Sequence, residues 1–251
     1  MSARANPWLL GDPGAASTPA LICIPHAGGN AAAFASWTGR LGPGVRVLAV
    51  QLPGHGARAA ERPLTSIPDI VDELVLGIAR DLPETFAMYG HSFGALVGYE
   101  VARLMSGSLG RAPIQLVVGA CRPPDALLDR PPLHAASDDR IVEYLASMSG
   151  TADELTADPA VRALVLPGVR ADLEALETYR HVPGAPVRVP ITAIAGADDA
   201  SLRPAEMRGW AHHTASPFRL ATVPGSHFFL RTSRAAVLDV IVGAFRPTVA
   251  T

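Results

Sequence analysis

Short, continuous apolar runs alternate along this chain with segments of helical length, and that alternation constrains its fold more than any other feature. "ALICIP" (20–25), "VRVLAVQLP" (45–53), "TFAMYG" (85–90), "IQLVVGAC" (114–121), "VPITAIAG" (189–196) and "FRLATVPG" (218–225) are short runs bounded by Gly or Pro. Such runs read as buried strands. They lack polar alternation, as expected of parallel strands covered by helices on both faces. Between them, 67–82, 94–105, 203–214 and 233–245 carry helical patterns, with Ile70, Leu74 and Ile78 on one stripe of the first. Strand and helix in repeated alternation predict an α/β domain with a mostly parallel sheet.

One interval breaks the rhythm. Residues 122–186, about 65 in all, contain no convincing strand. Ordinary connections in α/β units run about 2–6 residues. A Pro-rich stretch leads into "DDRIVEYLASMSG", with Ile141, Tyr144, Leu145 and Met148 on one face. "ADPAVRALVL" reads as a short helix stopped by Pro167 and Gly168. "VRADLEALETYRHV" reads as another, with Val169, Leu173, Leu176 and Tyr179 inward and Arg170, Asp172, Glu174 and Glu177 outward. The chain is expected to be a single domain, 1–251, with a helical lid inserted at 122–186.

Composition removes several functions. A net charge of -2 without basic runs does not fit a nucleic-acid footprint. No segment approaches the roughly 20 apolar residues of a membrane span, and no signal-peptide pattern opens the chain. A soluble, cytoplasmic protein is expected. Cys23 and Cys121 sit in strand-like runs, where a thiol packs as a small hydrophobe; a thiol at the rim of a site is the other reading. No metal-ligand spacing is present. With no heptad or exposed repeat, a monomer is expected.

Gly90-His91-Ser92-Phe93-Gly94 lies between the strand "TFAMY" and the helix "ALVGYEVARLM". A strand, a sharp G-x-S-x-G turn and a helix form a nucleophile elbow, which lifts the serine above the sheet. Ser92 is the candidate nucleophile. It needs a base, and the base an orienting acid. His227 follows the last predicted strand, where such a base belongs. The acid should end an earlier strand, and "AGADD" offers Asp198 and Asp199, the spacing after the glycine favouring Asp199. His91 reads as support, and His212 and His213 as a solvated helix end. Oxyanion donors are expected at the Phe93 N–H, directly after the serine, and the Ala27 N–H in "PHAGGN".

Read together, "PHAGGNAAAF", "VQLPGHGAR", "YGHSFGA", "RADLEALETYR", "AGADDASLRPAEMRGW" and "PGSHFFL" give the chain its resemblance to the discrete type II thioesterases that accompany polyketide synthases and nonribosomal peptide synthetases. The resemblance spans about Leu21 to Phe245. His55 stands where the family often carries arginine, with Arg58 nearby. The resemblance implies an α/β-hydrolase fold. It further implies hydrolysis of short or decarboxylated acyl groups from the phosphopantetheine arm of an acyl or peptidyl carrier protein. The arm belongs to the substrate, and no cofactor or metal is bound by the enzyme. A small-molecule esterase, a chain-releasing thioesterase and an inactive binding module are the rival readings.

Overall fold

A computed structural model describes residues 6–12, 14–42, 44–127, 131–147 and 158–245. The elements in order are β1 (Leu9–Leu10), β2 (Ala20–Ile24), β3 (Arg46–Val50), α1 (Ile67–Ile78), β4 (Phe86–His91), α2 (Phe93–Ser108), β5 (Leu116–Gly119), α3 (Asp138–Ser147), α4 (Pro159–Thr178), β6 (Ile191–Gly196), β7 (Phe218–Val223), α5 (Phe229–Thr232) and α6 (Arg234–Phe245). Short 3-10 turns fill several connections, the longest being Pro204–His213. The expected 203–214 helix therefore takes the tighter pitch.

The seven strands form one sheet in the order β1-β3-β2-β4-β5-β6-β7. All pairs are parallel except β1 with β3. The two-residue β1 has too little pattern to be legible in the sequence. The strands are apolar throughout because both faces are covered. On β2, Ala20, Ile22 and Ile24 join a core with α1 and α2, whereas Leu21 and Cys23 join a second core with Trp37 and Val237 on the opposite face. Cys23 and Cys121 are both buried, as small hydrophobes would be.

The chain winds outward from β2 in two directions: β3 is its neighbour on one side and β4 on the other. In open α/β sheets, the crevice beyond the strand ends at such a switch point is the usual ligand site.

The insertion has a small core of its own, in which Ile141, Val142 and Leu145 of α3 meet Leu166, Val169 and Leu173 of α4. Met148 lies outside the described residues. Two expectations for this region are overturned. First, α4 is one continuous helix of 20 residues, with Pro167 inside it. Proline removes the hydrogen bond to the Ala163 carbonyl and its ring disfavours the helix by about 3 kcal/mol. Here Leu166 and Val169, on either side, are both sunk in the insertion core, and Pro167 itself faces solvent. Tertiary packing overrides the local stop signal. Second, Asp172 does not face outward but is only 2% exposed. Its partners lie outside the helix and are described below.

Candidate active site

The elbow is built from backbone constraints. Ser92 has φ 53° and ψ −117°, a conformation non-glycine residues seldom adopt. Strain of this kind costs about 1–3 kcal/mol and persists only where surrounding structure imposes it. The Ser92 N–H donates to the Gly119 carbonyl at 2.7 Å, tying the turn to β5. A Cβ on residue 90 would lie 2.0 Å from the Gly94 carbonyl oxygen, and one on residue 94 would lie 2.4 Å from the carbonyls of Ile24 and Pro25. The motif needs glycine at both positions because α2 begins directly against the exit of β2.

That contact also brings the start of α2 against the end of β2, from which the loop carrying Ala27 departs. Phe93 opens α2, where the first N–H groups have no intrahelical acceptor. Ala27 follows β2 in a tight turn closed by the Gly29 N–H on the His26 carbonyl at 2.8 Å. Among the described residues, the Ala27 N–H has no acceptor.

Two further loops bring the ionisable groups. The Ser92 hydroxyl donates to His227 Nε2 at 3.0 Å, and His227 Nδ1–H donates to Asp199 Oδ2 at 2.9 Å. The carboxylate can only accept, so the proton sits on Nδ1 and Nε2 is left free to take one. Asp199 is 6% exposed and His227 9%. Burial alone would raise the Asp199 pKa. Hydrogen bonds from His227 and from the Ser201 hydroxyl and N–H outweigh it and bring the pKa down to about 2. Asp199 is thus a fixed anion at neutral pH. Asp198 instead accepts the Gly225 N–H at 3.2 Å, which caps the loop carrying His227.

His91 supports the base from beneath. Its Nε2–H donates to the His227 carbonyl at 2.8 Å, and Nδ1 accepts from the Tyr89 hydroxyl at 2.9 Å. Burial, reinforced by His227 and His26, holds His91 well below the usual histidine range. It is therefore neutral, with the tautomer its two partners demand.

Ser201 escaped the sequence reading. Its hydroxyl and N–H both donate to Asp199 Oδ1, at 2.7 and 2.9 Å. The signal was present, as a serine two residues after the acid is placed for an Asx-type turn. His213 corrects an expectation: it is 6% exposed rather than solvated. Its Nε2–H donates to Asp125 Oδ1 at 2.8 Å, and its ring packs edge-on against Tyr99 and Trp210. It packs against α2 through Tyr99 rather than facing solvent. A groove of about 330 Å³ between α1, α2 and residues 179–182 includes none of the candidate site residues.

The residues from 19 to 245 match the Thioesterase domain family. The chain belongs to the thioesterase family. Gramicidin S biosynthesis protein GrsT of Aneurinibacillus migulanus is 30% identical to it over 244 residues, covering 97% of this thioesterase and 95% of the relative. Thioesterase PikA5 of Streptomyces venezuelae is 36% identical over 211 residues, covering 84% and 75%. Among solved structures, the type II thioesterase BorB from the borrelidin biosynthetic cluster superposes with a TM-score of 0.89 at 36% identity, covering 98% of this chain and 100% of that one. The fold is that of an α/β-hydrolase, and this thioesterase is a serine hydrolase by family. None of its described helices is long and apolar enough to cross a membrane.

Proposed function

We propose that this thioesterase clears short or aberrant acyl groups from the phosphopantetheine arms of carrier proteins in polyketide or nonribosomal peptide assembly, through an acyl-Ser92 intermediate. The observation that carries the chemistry is the unbroken hydrogen-bond chain from Ser92 Oγ through His227 to Asp199 Oδ2, with separations of 3.0 and 2.9 Å. The biosynthetic setting is supported by the named pathways of GrsT and BorB.

In the first half-reaction, Ser92 Oγ attacks the thioester carbonyl as its proton passes to His227 Nε2. Asp199 stabilises the imidazolium so formed. The oxyanion is held by the N–H groups of Ala27 and Phe93, each such donor being worth about 10²–10³ in rate. The C–S bond then breaks, and the thiol leaves with the proton from His227. In the second half-reaction His227 deprotonates water, which attacks the acyl-serine. The acid departs and Ser92 recovers its proton. Thiolates leave easily, so oxyanion stabilisation and positioning carry most of the barrier reduction.

The insertion at 122–186 acts as the lid over the acyl group. The enzyme works as a soluble monomer without a cofactor or metal of its own. The test is hydrolysis of an acetyl-loaded carrier protein against p-nitrophenyl acetate. The carrier-borne thioester should give the higher kcat/KM, and Ser92→Ala should abolish release from both. Preference for the free ester would move the assignment to a small-molecule esterase. Near wild-type hydrolysis by Ser92→Ala would remove the nucleophile.

A further inference from the structure

Asp172 and His55 form a buried ion pair that no part of the reaction scheme uses. Asp172 lies in the middle of α4, yet its Oδ2 accepts two hydrogen bonds from outside that helix. One comes from the Gly28 N–H at 2.7 Å and the other from His55 Nε2–H at 2.8 Å. The other ring nitrogen of His55 donates to the Pro53 carbonyl at 2.9 Å. A carbonyl and a carboxylate can only accept, so both ring nitrogens carry protons and His55 is an imidazolium. The two side chains are 5% and 3% exposed.

The pair sits where α4 presses on two loops of the catalytic edge. A Cβ on Gly168 would lie 2.7 Å from the Gly54 carbonyl oxygen and 2.9 Å from His55 Nε2. A Cβ on Gly28 would lie 2.5 Å from Val169 Cγ2. The loop after β3 is also tied to the segment after β2 by Gln51. Its amide donates to the His55 carbonyl at 2.7 Å, while its oxygen accepts the Ala31 N–H at 3.3 Å.

Ala27 and Gly28 are the two central residues of the turn closed by Gly29 on His26. Gly28 has φ +74°, the value a type II turn requires at its third position. Asp172 holds the Gly28 N–H, in the peptide directly after the one that carries the Ala27 N–H, and so anchors the turn at its centre.

We propose that Asp172 and His55 are positioning residues for thioester hydrolysis: the insertion helix carries an ion pair that locks the 26–29 turn in the orientation presenting the Ala27 N–H to the oxyanion. The oxyanion hole is then complete only when α4 is seated. The inference rests on the reading of Ala27 as an oxyanion donor.

The lock is sensitive to pH. The ionisable groups facing His55 are Asp172 on α4 and His26 on the loop after β2. Burial, helped by His227, lowers the His26 pKa to about 4, so at neutral pH it adds no charge. For His55, burial favours the neutral ring, but the Asp172 carboxylate and the two hydrogen bonds outweigh it and raise the pKa. A raised pKa means the lock is intact below it and is lost as pH rises through it.

Steady-state hydrolysis of the acetyl thioester of N-acetylcysteamine, from pH 5 to 10, tests the proposal on wild type, Asp172→Asn and His55→Gln. Wild-type kcat should fall on the alkaline side. Asp172→Asn should lower kcat by on the order of 10²-fold, the loss a misplaced catalytic group typically brings, with KM little changed. His55→Gln should lower kcat too and abolish the alkaline fall, since the titrating group is gone. A folded variant with wild-type kcat, a loss carried by KM alone, or an unchanged alkaline fall in His55→Gln would each overturn the proposal. If Asp172→Asn does not fold, His55→Gln carries the test. If neither folds, a wild-type kcat that stays level to pH 10 overturns it. Fluorophosphonate labelling of wild type separates the two levels: no label on Ser92 would sink the active-site reading itself, whereas labelling with unaffected variants would sink only the lock.

Discussion

Replacing Asp199 by asparagine should disable this enzyme through hydrogen-bond direction more than through charge. Oδ1 of Asp199 already accepts from the Ser201 N–H at 2.9 Å and the Ser201 hydroxyl at 2.7 Å. The backbone donor cannot turn away. In Asp199→Asn the amide oxygen must therefore take the Oδ1 position, and the NH₂ group falls where Oδ2 was, 2.9 Å from His227 Nδ1. That NH₂ can only donate, so Nδ1 becomes the acceptor and the ring proton moves to Nε2. Nε2–H then faces the Ser92 hydroxyl and cannot receive its proton. Wrong-tautomer variants of serine triads lose about 10⁴ in kcat, equivalent to about 5.4 kcal/mol of barrier. The assay is thiol release from an acetyl thioester, followed with a chromogenic disulfide under single-turnover conditions, with the fold checked by circular dichroism. A folded Asp199→Asn within tenfold of wild type would refute the reasoning.

Other outcomes follow from the same geometry. Asp199 has its pKa lowered from 3.8 to about 2, so its contribution to stability, about 2 kcal/mol, is present above pH 3.8 and lost as pH falls towards 2; acid-induced unfolding of Asp199→Asn should lack that share of the pH dependence. Gly90→Ala places a methyl 2.0 Å from the Gly94 carbonyl and should destabilise by about 3 kcal/mol. Gly107→Ala in α2, where a Cβ would meet nothing within 4 Å, should instead stabilise by up to about 1 kcal/mol; urea midpoints would compare the two. Pro167→Ala restores a helix hydrogen bond at an exposed site and should raise stability by about 1–3 kcal/mol, read as an increase in Tm. Leu173→Ala hollows the insertion core and should alter the kcat/KM profile across an acyl series; an unchanged profile would count against the lid.

The sheet and the elbow were legible because their determinants are local. A parallel strand covered on both faces must be apolar along its length, and G-x-S-x-G between a strand and a helix has one sensible geometry. The candidate base and acid were legible from their places after β7 and β6. What escaped depended on partners distant in sequence. The reading of Pro167 as a helix stop weighed local propensity alone, whereas the α3–α4 core on either side decides the outcome. Asp172 was placed outward because it is charged, although its spacing puts it in the stripe Val165, Val169, Asp172, Leu176. Its partners, Gly28 and His55, are 144 and 117 residues away, and nothing in a helical period reports them. His213 was misplaced for a similar reason, since its partner Asp125 is 88 residues away.

The separation of the working groups has a consequence for the life of the chain before it is complete. Ser92 is made early and His227 135 residues later, and β6 and β7 must both add to the sheet before the imidazole can reach the serine. At about 5–20 residues per second of synthesis, the elbow exists for many seconds as an inert turn beside a growing polypeptide. Hydrolytic power therefore arrives in one step, after the last strand docks, and a nascent or truncated copy that lacks β7 would hydrolyse nothing.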